Sequence, residues 1–362
     1  MPQRRCRVAG LLVALLLVSI GLARPLPAAQ AASKIALLRA DQASAHRLLE
    51  LQREGFTSIA LALSDTNAAV DTLAAGRVSR TGLELDYWIE IARNPALADA
   101  HPEWMASIQT HEDWRRLFPQ FAKTQSNSVV KVYPWVPVLY RETVGPHQQR
   151  VARLLQDRPV PRRLFLNDLQ GAPSACGCGH PLCRWTTDYG PLKSAARLPN
   201  DAAAQFVKDV KGIQPDIEVI PVWTTECEEH DRGGMCGGVG CFHGTCWREW
   251  TAQLMPMAAR TDTIGVLLLY RAFQRDLPIY GEPAGWITSA LGFFQQMPLR
   301  YQAAGIPAHR LLAILQGWDV TPEQIQSEIA RAAEAGTAGV LVVFTPIDQS
   351  WSPRMFTLST TK

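Results

Sequence analysis

The stretch R-L-F-L-N-D-L-Q-G-A-P-S-A-C-G-C-G-H-P-L-C, Arg163 to Cys183, decides how the chain is read. Leu164 to Leu166 is an apolar run with the length and flanks of a buried strand. Asn167, Asp168 and Gln170 stand where it ends, and Gly171 and Pro173 then break regular structure. The loop beyond carries Cys176, Cys178 and Cys183. A buried strand that delivers polar side chains into a loop is how an α/β scaffold presents chemistry. A second stretch has the same form: Ile217–Val222 ends in Trp223 and Glu226, followed by Cys227, Cys236, Cys241 and Cys246. The two loops are expected over one pocket.

Working outward, the same apolar runs recur. Lys34–Leu38, Ser58–Leu63 and Leu83–Ile91 precede the first stretch, and Ile264–Tyr270, Leu311–Leu315 and Val340–Phe344 follow the second. Helix-like stretches lie between them. These are Ala43–Glu54, Ala68–Ala75 with Gly76 as its stop, His147–Gln156, Asp201–Lys211, Trp247–Arg260, Ile287–Ala304 and Thr321–Ala335. The last is the best marked. Thr321 suits the cap, Pro322 the first helical position and Gln324 the capping box, with Ile325, Ile329 and Ala333 on one face. An irregular excursion from Arg93 to Gly145 follows the third strand. Val129–Tyr140 within it is placed in the loop, because Pro134 and Pro137 argue against a central strand.

Eight buried strands joined by helices predict a single closed (β/α)8 TIM barrel with long, cysteine-bearing strand-to-helix loops. Periodicity does not separate a closed sheet from an open one; the count of eight tips the choice, as do polar and aromatic residues at nearly every strand's C-terminal end. Only 18 residues follow Phe344, with Pro346 and Pro353 among them, so the eighth helix is expected to be incomplete.

The bulk numbers fit a well-cored protein: 362 residues, 47% hydrophobic and 19% charged. The net charge is +3 and the basic residues are scattered, so no stripe suggests nucleic acid. The first residues are M-P-Q-R-R-C-R, then an apolar run from Val8 to Leu22, then A-A-Q-A-A-S. That pattern predicts a secretory signal over 1–32, a barrel domain over 33–362 and a secreted or periplasmic location. No later segment is apolar for long enough to span a bilayer after signal cleavage. Of the eight cysteines, Cys6 lies in the leader and seven remain, so disulfides alone leave at least one thiol over.

Residues just past the strand ends form the working face of such barrels. Here they are Asp86, Trp88 and Glu90 on the third strand, Asn167, Asp168 and Gln170 on the fourth, and Trp223 and Glu226 on the fifth. Tyr270 ends the sixth, Gln316, Trp318 and Asp319 the seventh, and Thr345 the eighth. Acids, amides and flat rings suit a carbohydrate: a ring face covers the C–H patch, and amides and carboxylates take the hydroxyls. Two carboxyl groups across a glycosidic bond supply acid and nucleophile or base.

The motifs Y-W-I-E at Tyr87–Glu90, H-P-E-W at His101–Trp104 and F-L-N-D-L-Q at Phe165–Gln170 resemble those of secreted bacterial glycoside-hydrolase-like (β/α)8 proteins, distantly α-amylase-like in the placement of acids. The resemblance implies a fourth-strand Asp nucleophile, a fifth-strand Glu acid/base and a seventh-strand Asp that holds the sugar. Asp168, Glu226 and Asp319 stand at those strand ends. Leu166 stands where the amylase-like strand carries an Arg.

Each candidate has a plainer reading. Asp168 suits a turn, Glu226 a solvated loop, and Asp319 the cap region of the Thr321 helix. Asp86 and Glu90 share one strand face, and one of them can pair with an inward Arg to hold the barrel. Cys176, Cys178, Cys183, Cys236, Cys241 and Cys246 read first as disulfide partners that pin the loops. Their spacing, with His180 and His243, also admits zinc. The function expected is therefore a glycosidase that needs no cofactor. A non-catalytic carbohydrate-binding barrel and a metal-dependent hydrolase built on the Cys/His loops are the alternatives.

Overall fold

The computed structural model describes residues 33–105, 128–131, 134–138, 140–169, 201–224, 254–270, 284–300, 305–346 and 354–357. Eight parallel strands close into a barrel: β1 (Ser33–Arg39), β2 (Ser58–Ala62), β3 (Glu84–Glu90), β5 (Arg163–Asn167), β6 (Glu218–Thr224), β7 (Ile264–Leu268), β8 (Leu311–Gln316) and β9 (Gly339–Val343). β1 pairs with both β2 and β9, which closes the ring. The chain is a single (β/α)8 barrel, and each of the eight apolar runs is one of its strands.

The helices follow from local chemistry. In α1 (Ala45–Arg53) the Ser44 hydroxyl accepts from the Arg47 N–H, and Leu48 and Leu51 face the core. α2 (Ala68–Thr81) runs through Gly76, the expected stop, and ends instead at Gly82 with φ 80°, a left-handed cap that glycine takes without strain. A short α3 (Pro95–Ala100) follows β3. α4 (Arg141–Leu155) begins six residues before the predicted His147, with Pro146 inside it. α5 (Ala202–Ile213), α6 (Gly285–Arg300) and α7 (Pro322–Glu334) follow, and residues 254–258, within the expected Trp247–Arg260 helix, are helical before β7. In α7 the Thr321 hydroxyl accepts from the Gln324 N–H at 3.2 Å, the expected cap.

Strand side chains alternate between two apolar clusters. The larger joins the outward faces to the helices, through Ala36, Leu38, Tyr87, Ile89 and Trp223 among others. The smaller fills the lumen: Ile35, Leu37, Ala60, Trp88, Phe165, Ile220, Val222, Leu312, Ile314, Leu341 and Val343. Gly265 lies against this filling. A Cβ there would stand 2.9 Å from Ile314 Cδ1 and 3.0 Å from Val222 Cγ2, so the lumen is packed rather than open.

Beyond β9 the chain forms β10 (Arg354–Thr357), which pairs antiparallel with β4 (Ser128–Lys131) in the excursion after β3. Part of the excursion read as loop is thus a strand, but outside the barrel. Pro134 and Pro137 lie beyond it. Among the described residues no helix is long and apolar enough to cross a membrane. The leader predicted over 1–32 lies outside the described residues.

Candidate active site

The pairing of β3 with β5 sets the site. Its register places Asp86 beside Arg163, Trp88 beside Phe165 and Glu90 beside Asn167. All six point inward, so the lumen has three levels along these strands. At the N-terminal level Asp86 is fully buried. It takes Arg163 Nε at 3.0 Å, the Arg163 backbone N–H at 3.0 Å and the Ser58 hydroxyl. Burial pushes this carboxyl up from its ordinary value, against the pull of Arg163 and Ser58. Asp86 therefore does not belong to a binding surface; it is the strand acid that pairs with an inward Arg and holds the barrel. Above it, Trp88 stacks on Phe165 with ring centroids 6.0 Å apart.

The top level carries the polar cluster. Glu90, Arg93, Asn167 and Asp168 are each no more than 8% exposed. Glu90 Oε1 accepts from Trp88 Nε1 at 2.8 Å and pairs with Arg93 Nη2 at 2.9 Å. Glu90 Oε2 accepts from Asn167 Nδ2 at 2.8 Å, and the same amide donates to Asp168 Oδ1 at 3.1 Å. Arg93 Nε stands 3.6 Å from Asp168 Oδ2, so one guanidinium serves both acids. The two carboxyls thus share one amide and one guanidinium. Burial would push Glu90 up. The Arg93 charge, the neighbouring Asp168 and the hydrogen bonds from Trp88 and Asn167 outweigh it and hold Glu90 below its ordinary value.

The backbone fixes this arrangement. The ladder continues past the strand ends, with Ile91 N–H donating to Asn167 O at 2.9 Å and Ala92 N–H to Asp168 O at 3.1 Å. Val136 N–H then donates to Ala92 O, so the loop after β3 forms a wall beside the acids. Arg150 of α4 donates to the Glu90 carbonyl and is itself held by Asp65, Nε to Oδ2 at 2.8 Å. Asp168 has φ 61° and Asp319 φ 53°, the left-handed region that side chains other than glycine rarely adopt. Asp168 directly follows β5, and Asp319 stands three residues past the end of β8. Asp157, past the end of α4, is the third such residue among those described.

The remaining candidates divide by strand parity. Gln316 is inward and buried, and its amide donates to Trp318 O at 2.8 Å. Trp318 packs on the lumen cluster that contains Trp88. Trp223 is fully buried in the outer cluster between barrel and helices, so it does not line the mouth. Tyr270 packs against the same outer cluster. Trp223 falls on the outward parity of β6, and Tyr270 stands two residues past the end of β7. Asp319 is exposed beside Trp318, and Thr321 rather than Asp319 caps α7. Thr345 accepts from Gln42 at 2.5 Å on the β1 side of the mouth. Gln170, Glu226 and the six cysteines Cys176, Cys178, Cys183, Cys236, Cys241 and Cys246 lie outside the described residues. Among the described residues no group of three or more His, Cys, Asp or Glu is placed to hold a metal ion.

Sequence reading missed Arg93, which joins the two acids, and Arg150, which holds the Glu90 backbone. Arg150 left a signal. It falls with His147, Val151 and Leu154 on the buried stripe of α4, where an unexplained charge implies a partner.

No family model matches the chain, and no curated protein matches it in sequence. Solved structures resemble it at a distance. The spore cortex-lytic enzyme SleL of Bacillus megaterium has a TM-score of 0.44 at 8% identity, over 88% of this chain and 71% of that one. An alpha-L-fucosidase of Paenibacillus thiaminolyticus has 0.44 at 13% identity, over 86% of this chain and 46% of its own. An HpcH/HpaI aldolase from Desulfitobacterium hafniense has 0.36 at 10% identity, over 86% of each. Likenesses this distant carry no argument about chemistry; the barrel rests on its own closed strand order.

Proposed function

We propose that the chain is an exported glycoside hydrolase that cleaves a poly- or oligosaccharide at the C-terminal mouth of its barrel, with Asp168 and Glu226 as the reacting carboxyls and Asp319 in support. The observation that carries the reading is the buried cluster at the end of the fourth barrel strand. There Asp168 meets a second acid, a cation and an amide at the place where barrels of this kind do their chemistry. Sharing one amide and one guanidinium with Glu90 suits Asp168 to hold a proton, which makes it the acid of the pair. Glu226, past the fifth strand, then takes the role of nucleophile or base. That reverses the roles implied by the amylase-like resemblance while keeping the residues.

In this reading residues 1–32 are a cleaved leader and 33–362 the working domain, secreted or periplasmic. The cysteine loops are pinned by disulfides and no cofactor takes part. Trp318, Gln316 and Asn167 are the groups offered to the sugar from the described part of the mouth.

The test is release of new reducing ends from a panel of polysaccharides by the purified mature chain. Cleavage of at least one supports the reading. Saturable binding of a polysaccharide with no new reducing ends favours the non-catalytic barrel instead.

A further inference from the structure

We infer that Glu90 is a positioning residue: it is the fixed anion that keeps the reacting proton on Asp168. This rests on the reading of Asp168 as the acid, and it assigns Glu90 a role other than contact with sugar.

The direction of the hydrogen bonds around Glu90 marks it as the anion. Three donors converge on the Glu90 carboxyl: the Trp88 indole N–H, the Arg93 guanidinium and the Asn167 amide. An indole N–H and a guanidinium have no lone pair to offer in return. The Asn167 amide is oriented by two carboxyl acceptors at once, Glu90 Oε2 and Asp168 Oδ1, so its NH2 end faces both. Both Glu90 oxygens are thus committed as acceptors. Two buried carboxyls that share one amide and one guanidinium repel if both are charged, and Arg93 stands 2.9 Å from Glu90 but 3.6 Å from Asp168, so the charge rests on Glu90 and the proton on Asp168. Every charged or titratable group that the described residues place around the pair fits this assignment. Arg93 offsets the charge of Glu90. Arg150 donates to the Glu90 backbone carbonyl, and Asp65 neutralises Arg150 from behind. The cluster then holds one anion and one cation, the state with the least uncompensated buried charge.

The chemistry follows with its protons balanced. Asp168 gives its proton to the glycosidic oxygen as the carbon–oxygen bond breaks and its electron pair leaves with that oxygen. Asp168 becomes a second carboxylate next to Glu90, with one guanidinium between them. Attacking water supplies hydroxide to the sugar carbon and returns a proton to Asp168. The adjacent Glu90 anion favours that return, because two unprotonated carboxylates in contact repel.

The experiment is a carbon-detected pH titration of the protein labelled with 13C at the aspartate carboxyls. The Asp168 signal is identified by its loss in Asp168→Asn. The expected midpoint for Asp168 in the intact protein lies at least one pH unit above the ordinary value of about 3.9. Glu90→Gln is expected to lower the midpoint by one unit or more, and Arg93→Gln to raise it. A general loosening of the site would move both variants toward the ordinary value, so opposite shifts mark an electrostatic role. A midpoint at or below about 3.9 in the intact protein overturns the inference, as does a Glu90→Gln titration that coincides with it. No substrate is needed, so the outcome is separate from whether the chain cleaves a sugar.

Discussion

Asp86 and Glu90 point into the barrel from the same face of one strand, and Trp88 separates their environments. Asp86 is locked to Arg163 at 3.0 Å on one side of the Trp88–Phe165 stack. Glu90 meets Asp168, Asn167 and Arg93 on the other. One strand thus carries a structural acid and a site acid, told apart by depth alone.

The first consequence concerns stability. Asp86→Ala leaves Arg163 buried without its inward partner, a class of change that costs about 3–5 kcal/mol. Arg163 keeps Glu84 at 3.0 Å, so the low end of that range is expected. Urea unfolding of Asp86→Ala measures it. A loss under about 1 kcal/mol, the scale of an exposed ion pair, would deny Asp86 this role.

His147 gives the fold a dependence on pH. It is buried on α4, with Nε2 2.8 Å from Val136 O, and burial pushes it down to about 4. In the unfolded chain it titrates near an ordinary value of about 6.5. Between those values the unfolded chain takes up a proton that the folded one refuses. Stability therefore falls as pH drops from about 6.5 to about 4, by on the order of 3 kcal/mol, and this contribution levels off below. Urea midpoints of the wild type and His147→Phe across pH 3.5–8 should differ by an amount that changes within that window. A constant difference would refute the assignment.

Trp318 and Trp223 separate binding from packing. Trp318→Ala is expected to weaken oligosaccharide binding by about 3- to 10-fold, the worth of one ring contact near 1 kcal/mol. Trp223→Ala is expected to cost about 3–5 kcal/mol of stability and to leave KM unchanged for the protein that remains folded. Equilibrium binding and thermal unfolding of both variants decide it. The reverse pattern would put Trp223 at the mouth.

These same residues show what the sequence makes legible. The eight strands were readable because parallel strands buried on both faces appear as continuous apolar runs. Parity within a strand was not read through to its end. Val222 faces the lumen, so Trp223 has to face the helices. The stop expected at Gly76 failed because one glycine costs a helix only about 1 kcal/mol. The buried face through Ala74, Ala75 and Val78 outweighs that. The start of α4 was hidden by Gly145 and Pro146, yet Thr143, His147 and Arg150 carry its buried stripe across them. Within the buried cluster, Asn167 and Asp168 were singled out by their position at the strand end. Arg93 was not, because its partners come from two strands and nothing local announces a shared cation.

The central claim is that Asp168 is a reacting carboxyl of a glycosidase. The measurement that tests it most directly is kcat of Asp168→Asn on the best-cleaved polysaccharide, with unfolding followed in parallel to show the fold intact. The account predicts a loss of about 10²–10⁴-fold, the usual contribution of a positioned acid, with stability little changed. Turnover equal to that of the wild type would contradict it.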